Sequence, residues 1–522
     1  MSETVRIYTG IGNAPVRRRR KLSTRAKGIF FLLVLLVAAY AWWVTRDTYP
    51  IERLIPAGQT YQIFAGDLFR MRDALAQSKI LKALPPEAGL GDISATLSGN
   101  VGIPEWILNN LIPDLCIASG KDLRTLADAL FVTRMTRIGC LLTKFAILIP
   151  DVGAERAGGL NLLHISPEGI YFAVRGRILA ASRSRDALIR ALTVRPEDAE
   201  PREAMIGILT GISANDLLIS LSLKPNDPLA DAFDRLNLTA RIEPASWRIK
   251  CSGALRKEWR ERLGGFVEDL APTELMAPPE GILQISANFN KPMSGLWPVA
   301  AELAGKRSEA ESLWRAWSTP APDAPLGPAQ IGTALVGQLG PGIRISWCGF
   351  DLNEMVPVPQ VVATFDADPE AISAMFTSLP PLASGADRYS MKPQYDVSMK
   401  CVRWPLVGGP SMEPTAGIIG NVLLISSSRT IAETFLNAGP TKLRLSQKGN
   451  LYLTLEPGAC AKALVDLAAL LAENDLLKGY TPDRVRQTAA PWMTVASAVK
   501  DITVIAACEK GEVTLDLAVN AN

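Results

Sequence analysis

The sequence predicts an α+β protein in which an N-terminal transmembrane helix precedes two related domains, each a mainly antiparallel sheet with packed helices. Three observations predict this class: one long uncharged apolar run, strand-like segments that alternate with helix-like ones, and an order of elements that occurs twice. At 522 residues the chain exceeds the length over which one hydrophobic core keeps growing, so two or more domains are expected.

The N-terminal segment, residues 1–27, is strongly basic. The first 28 residues contain eight Lys and Arg but only one acidic residue, Glu3, so they carry a net charge of +7. The whole chain carries +3, which leaves about −4 for the remainder. A mildly acidic body lacks the clustered cations that neutralise phosphates, so no nucleic acid partner is expected.

Residues 28–45 are eighteen consecutive uncharged residues, which as a helix would reach roughly 27 Å, close to the thickness of a bilayer core. Tyr40, Trp42 and Trp43 lie at the downstream edge, and the basic segment lies at the upstream edge. The positive-inside rule then places the N-terminus in the cytoplasm and the rest outside. We therefore expect a single-pass membrane protein that contacts the bilayer through residues 28–45, in the inner membrane and periplasm if the source is a diderm bacterium.

Cleavage of this segment is an alternative, because Ala39-Tyr40-Ala41 has the small-x-small form that signal peptidase recognises. The long basic region and the apolar run that continues through the two tryptophans favour an uncleaved signal anchor.

Period-2 apolar runs predict strands at residues 62–65, 141–149, 177–182, 217–223, 361–365, 422–427, 451–455 and 503–507. Helix starts, each an N-cap residue followed by proline, are predicted at 227–228, 368–370 and 481–483. A hairpin is expected at the end of the chain, with its turn at Lys510-Gly511.

Three pairs of segments indicate an internal repeat, because they follow one another in the same order. They match residues 62–65 with 284–287, 176–185 with 420–429, and 221–225 with 453–457. We therefore predict repeat domains at 46–270 and 281–522, joined by a proline-containing linker at 271–280. A second proline-rich stretch, 318–328, is interpreted as a loop.

These segments resemble uncharacterised bacterial envelope proteins with an N-terminal anchor and a duplicated exported body. The feature shared with those proteins is a strand-turn-strand unit that ends in small residues before a helix, as in 179–182 and 424–427. The resemblance implies an envelope location and no known catalytic residues.

Residues that could perform chemistry are few. His164 is the one histidine, so a His-based zinc site cannot form. No phosphate-binding glycine motif is present, and we expect no cofactor and no metal. The seven cysteines are an odd number without C-x-x-C spacing, which leaves two alternatives: small buried side chains, or one or two disulfides.

Ser411 in Ser411-Met412-Glu413-Pro414-Thr415 is a weak candidate nucleophile, because this box is similar to that of type I signal peptidases, which use a Ser-Lys dyad. The family's lysine block is absent here. In the repeat, moreover, Ser411 aligns with Pro167, which lies in a turn. A turn before a strand is therefore the favoured interpretation of Ser411.

These observations favour a non-enzymatic, membrane-anchored extracytoplasmic protein that binds or scaffolds another envelope component. The alternative function is a serine hydrolase that uses Ser411. Leucines 464, 467, 470 and 471 have helical spacing. Core packing is the first explanation for them, and a groove for an apolar ligand or peptide is the second.

Overall fold

The computed structural model describes about two thirds of the chain. It describes residues 31–32, 34–40, 42, 51–84, 105–113, 115–122, 128–145, 152–157, 160–165, 169–199, 216–224, 229–267, 274–277, 281–291, 302, 308–309, 312, 339–352, 357–378, 382–383, 390–391, 393–405, 409–438, 441–444 and 449–522.

The predicted transmembrane helix at 28–45 is wrong. In the described part of the chain, no helix is both long enough and apolar enough to cross a bilayer. Residues 31–32, 34–40 and 42 are helical, whereas the other positions of the run and the basic segment lie outside the described residues. An apolar run of bilayer length permits a spanning helix but does not require one, because the same composition also suits a shorter helix. The predicted single-pass membrane location depended on this helix and is therefore wrong as well.

Twenty-four strands are present in the described residues. In the first half of the chain they are β1 (Tyr61–Ala65), β2 (Cys116–Gly120), β3 (Leu130–Arg134), β4 (Val152–Ala157), β5 (Leu160–Ile165), β6 (Ile170–Arg175), β7 (Ile178–Ser182), β8 (Leu217–Ser222), β9 (Phe233–Glu243), β10 (Ser246–Leu255) and β11 (Glu274–Ala277). In the second half they are β12 (Leu283–Asn288), β13 (Leu339–Asp351), β14 (Val358–Ala367), β15 (Leu382–Ala383), β16 (Ser390–Met391), β17 (Gln394–Asp396), β18 (Cys401–Arg403), β19 (Thr415–Ile419), β20 (Val422–Ser426), β21 (Thr441–Arg444), β22 (Leu451–Leu455), β23 (Val499–Glu509) and β24 (Glu512–Ala521).

Ten α-helices connect these strands in the same described ranges. They are α1 (Leu68–Gln77), α2 (Lys79–Ala83), α3 (Glu105–Leu111), α4 (Arg137–Phe145), α5 (Arg185–Thr193), α6 (Lys257–Val267), α7 (Pro369–Ser378), α8 (Arg429–Ala438), α9 (Pro457–Glu473) and α10 (Pro482–Ala498).

The two halves have the same strand order, and every pairing is antiparallel. Across the sheet, the first half has the order β4-β5-β6-β7-β3-β2-β1-β8-β9-β10. The second half has the order β17-β18-β19-β20-β14-β13-β12-β22-β23-β24. Each strand of the first series therefore has a counterpart in the second.

The last strands of the two series, β10 and β24, pair with each other and make one sheet of twenty strands. Lys250 is the fifth residue of β10, Asp516 is the fifth residue of β24, and the two lie directly opposite each other. The halves are thus related by a local two-fold axis at this residue pair. Without the pairing, both strands would expose unpaired N–H and C=O groups at a sheet edge.

The predicted fold class, a transmembrane helix followed by two domains with a sheet each, is therefore wrong. One sheet runs through both halves. The domain boundaries at 46–270, 271–280 and 281–522 stay a prediction, although the expected linker contains β11, which pairs with β21. The proline-rich stretch 318–328 lies outside the described residues.

The register of pairing also repeats. From Gln62 the pairing runs through Ser119 and Leu130 to Ser182. From Gln284 it runs through Ser346 and Val362 to Ser426. The first two pairs of matched segments therefore occupy corresponding positions.

The third pair of segments lies on corresponding strands but two residues out of register. Gln62 pairs with Ser220 and Gln284 pairs with Thr454, so Leu221 corresponds to Leu455. The predicted repeat matched Leu221 with Leu453 instead. A two-residue offset keeps the same face of the strand, which is why the apolar pattern still matched.

Local hydrogen bonds repeat at the start of α5 and α8. The Ser184 N–H donates to Ser182 Oγ at 3.0 Å, and the Ala187 N–H donates to Ser184 Oγ at 3.2 Å. In the second half, the Ser428 N–H donates to Ser426 Oγ at 3.2 Å, and the Ile431 N–H donates to Ser428 Oγ at 3.3 Å. The serine pair thus turns the chain out of the strand and caps the following helix in both halves.

Most of the predicted strands and helix starts are confirmed. Strands occur at seven of the eight predicted places, α7 and α10 begin at the predicted prolines, and β23 and β24 form the terminal hairpin. The strand predicted at 141–149 is wrong, because residues 141–145 belong to α4. The helix predicted after 227–228 is also wrong, since a turn at 229–232 leads directly into β9.

Candidate functional site

A cleft of about 140 Å³ opens on the first half of the sheet. It lies where the segment before β1 meets the adjoining ends of β2 and β3 and the side of α5. Its lining residues are Pro56, Ala57, Gln59, Ser119, Lys121, Asp128, Leu130, Ala187 and Arg190. A volume of this size holds several waters or a small polar molecule.

The elements of the fold place these side chains together. Ser119 lies on β2 opposite Leu130 of β3, and Leu130 belongs to the hydrophobic core of the first half. Ala187 and Arg190 are three residues apart on α5 and so share one side of that helix. The cleft is therefore lined by both apolar and charged side chains.

Buried polar atoms without partners occur on Ser119, which lines this cleft, and on its neighbours in β1. Within the described part of the chain, Ser119 Oγ, Tyr61 Oη and both side-chain polar atoms of Gln62 have no hydrogen-bond partner. These residues are only 0 to 2% exposed. Gln62 pairs directly with Ser119 across β1 and β2. Each such buried group costs roughly 1–3 kcal/mol if it stays unsatisfied, so a polar ligand or water that reaches them stabilises the protein.

Asp128 provides the negative charge of the site. Its Oδ2 accepts a hydrogen bond from the Lys121 N–H at 3.0 Å, while its buried Oδ1 has no hydrogen-bond partner in the described ranges. A Cβ atom at Gly120 would lie 2.6 Å from Tyr61 Oη and 3.0 Å from Asp128 Oδ1. Both oxygens therefore lie close to the glycine that separates Ser119 from Lys121.

Burial and nearby charges determine the protonation state of Tyr61. Burial raises the pKa of Tyr61 above its ordinary value, and the negative charges of Asp128 and Asp122 raise it further. The Tyr61 hydroxyl is therefore neutral at physiological pH and can act as a hydrogen-bond donor. Lys121 and Arg190, by contrast, are exposed cations at the rim. The cleft thus presents positive charge, one carboxylate and the hydroxyl group of Ser119 to a small ligand.

Ser411, the candidate nucleophile, lies in a 3₁₀ turn (Pro410–Met412) that precedes β19. Its Oγ donates a hydrogen bond to Asp351 Oδ2 at 2.6 Å, and the residue is 8% exposed. The partner is a carboxylate and not the lysine of a Ser-Lys dyad. This geometry gives the hydrolase alternative no support.

His164 and the cysteines lie apart from the cleft. The His164 ring stacks on Tyr171 with 4.5 Å between centroids. None of the seven cysteines, all of which the structure describes, forms a disulfide, so the structure does not support the disulfide alternative. Burial raises the pKa of the Cys116 thiol to about 12, which keeps it protonated and unreactive. In the described residues, no group of three or more His, Cys, Asp or Glu side chains is arranged to hold a metal ion.

The leucine series on α9 has mixed exposure. Leu464 is 49% exposed, and leucines 467, 470 and 471 are half-buried. The helix packs against α10, β23 and β13. Core packing therefore accounts for part of the series, and the apolar-ligand groove stays a prediction.

The cleft was not predicted from the sequence. Its polar residues come from the segment before β1, from β2, from the β2–β3 connection and from α5, which meet only in the folded sheet. One signal was available: Gln62 occupies a core-facing position in an apolar strand, where an uncompensated amide is costly.

Comparisons with known proteins identify no family. No family model matches the chain, and the search of curated proteins gives no match. Among solved structures, crystal form III of TP0453 is similar over 41% of this chain and 82% of that chain, at 7% identity and a TM-score of 0.25. Crystal form I of TP0453 matches 41% and 81% of the two chains, at 9% identity and the same TM-score. Scores this low do not establish a shared fold, and the resemblance to bacterial envelope proteins stays a prediction.

Proposed function

We propose that this chain is a non-catalytic binding protein whose first half takes a small polar ligand in the cleft beside Ser119. The observation that carries the proposal is that two lining residues of this cleft, Ser119 and Asp128, each have a buried polar atom without a hydrogen-bond partner in the described residues. Buried polar groups in proteins are nearly always satisfied, so exceptions beside a cleft favour a bound molecule there.

The charges around the cleft indicate the kind of ligand. Arg190 and Lys121 attract a negative group, and the free Oδ1 of Asp128 accepts a hydrogen bond from a positive one. A molecule with a carboxylate and an ammonium group, such as a free amino acid, matches both. The cleft holds only a small side chain in addition.

The continuous sheet supports a scaffolding role in addition to binding. It gives the molecule a long rigid platform, with helices α5 and α8 at corresponding places in the two halves. A further protein partner of this platform is part of the proposal.

Isothermal titration calorimetry with glycine, L-serine and L-glutamate tests the proposal. We expect at least one probe to bind in the micromolar to millimolar range. Arg190→Met should weaken that binding by roughly tenfold or more, because a hydrogen bond to a charged group contributes about 1.5–3 kcal/mol. Asp128→Asn should weaken it as well.

Arg195→Met is the matched control. Arg195 lies just after α5, outside the cleft, with its side chain 77% exposed, so this change should leave binding intact. Absence of binding by all three probes would overturn the proposed ligand class. Equal binding by the wild type and Arg190→Met would place the site elsewhere.

A further inference from the structure

The repeat shows one row of the sheet where the two halves differ in chemistry. In the first half, Phe64, Ile117 and Val132 lie side by side on β1, β2 and β3. The corresponding residues of the second half are Ser286, Arg344 and Thr364, on β12, β13 and β14. Three apolar core residues of one half are thus an arginine and two hydroxyl residues in the other.

The side chains of this polar row are buried, but a small fraction of each is exposed to solvent. Phe64, Ile117 and Val132 are all 0% exposed, whereas the polar counterparts are 5 to 6% exposed. The polar row therefore reaches the surface to a small extent. The positions could accept apolar side chains, since the first half has them there, so the backbone does not require the arginine.

Arg344 lacks a close counter-ion. Its Nε donates to the neutral Ser286 Oγ at 3.1 Å, and no carboxylate of the described residues lies within 4.0 Å of its guanidinium nitrogens. Burial lowers the pKa of Arg344 to about 10, and the charge of Asp366 offsets this only in part. A buried cation in this setting is stabilised when an anion binds to it.

Among the described residues, the carboxylate whose charge acts on Arg344 is that of Asp366, and it hydrogen-bonds to the backbone. It accepts a hydrogen bond from Gly342, and burial still raises its pKa above the ordinary value. A Cβ atom at Gly342 would lie 2.3 Å from Asp366 Oδ2. Asp366 therefore packs on β13, and no described carboxylate forms an ion pair with the guanidinium of Arg344.

A second unsatisfied donor lies next to Arg344. Ser346 is two residues further along β13, on the same face, and is 0% exposed. Its Oγ has no hydrogen-bond partner within the part of the chain that the structure describes. The guanidinium and this hydroxyl are donors on one face of one strand, and both need an acceptor.

We propose that the second half contains an anion site, in which Arg344 and Ser346 bind the oxygens of a carboxylate or phosphate group of a ligand. The arginine fork matches either group in a bidentate geometry. This site is independent of the cleft beside Ser119, which lies in the other half.

Thermal unfolding with added phosphate or acetate, at an ionic strength held constant with chloride, tests this site. We expect one of the two anions to raise the melting temperature of the wild type by about 2–4 °C at saturating concentration. Phosphate alone would assign a phosphate-bearing ligand, and acetate alone would assign a carboxylate.

Arg344→Met should abolish this rise, and it should fold because replacement of a buried charge by an apolar side chain is often neutral or stabilising. Ser346→Ala is the second variant and should reduce the rise, since its hydroxyl has no partner whose loss would unfold the protein. Arg195→Met is the control and should leave the rise unchanged, because its exposed side chain lies outside both proposed sites. No rise in the wild type, or an equal rise in Arg344→Met, would overturn the proposal.

Discussion

Phe64→Ala should lower the free energy of unfolding by roughly 3–5 kcal/mol, the range observed when a large aromatic side chain is removed from a core. Phe64 is fully buried and belongs to a cluster that includes Ile117, Val132 and Leu188. Because it lies in the middle strands of the first half, the cavity cannot close by a shift of an edge strand. Urea denaturation of the variant and the wild type measures the loss.

Phe69→Ala is the matched control for this prediction. Phe69 lies on α1, is half-buried, and contacts Arg72 with 5.3 Å between the guanidinium carbon and the ring centroid. Its removal should cost clearly less than the removal of Phe64. Equal losses for the two variants would contradict the assignment of Phe64 to the core.

Asn450→Ala should lower the free energy of unfolding by about 2–4 kcal/mol, because buried backbone groups would lose their partners. Asn450 Oδ1 accepts the Cys508 N–H at 2.8 Å, and Nδ2 donates to the Val267 carbonyl at 3.1 Å. The Asn450 side chain therefore connects the end of α6 to the second half of the sheet through hydrogen bonds. Thermal or urea unfolding measures the loss.

The counterpart of Asn450 in the first half is Asp216. The Asp216 N–H donates to the Ala240 carbonyl, and its Oδ2 accepts the Ile242 N–H at 2.6 Å. Asn450 makes the same pair of contacts with Ala506 and Cys508. Asp216→Ala should therefore be destabilising as well. Asn474→Ala, at an exposed helix end, should change stability little, and a loss there as large as at Asn450 would contradict the argument.

The repeat was accessible from the sequence because strand periodicity, small residues and turn glycines recur together. Gly176 and Gly420 both have positive φ, +61° and +57°, in corresponding hairpin turns. An L-residue with a side chain rarely adopts this conformation, so the glycines mark the same turn twice. The two-residue error at Leu221 arose because the alternation of a strand does not distinguish register shifts of two.

The joining of the two halves could not be predicted in the same way. The β10–β24 pairing brings together residues that are more than 250 positions apart. The sequence pattern of each strand is that of a half-buried strand and does not indicate its partner. The transmembrane prediction was wrong for a related reason, since apolar composition does not fix the length of a helix. The cleft and the Arg344 row are likewise products of long-range register.

Hydrogen exchange of the backbone amides in β10 and β24 tests the central claim, that the two repeats form one continuous sheet. If the strands pair, the amides of 246–254 and 512–520 that donate across the pair should exchange as slowly as those of β1 and β12 inside each half. If each half kept its own sheet, the outward amides of β10 and β24 would be free sheet edges. Their rapid exchange, with β1 and β12 still protected, would contradict the account.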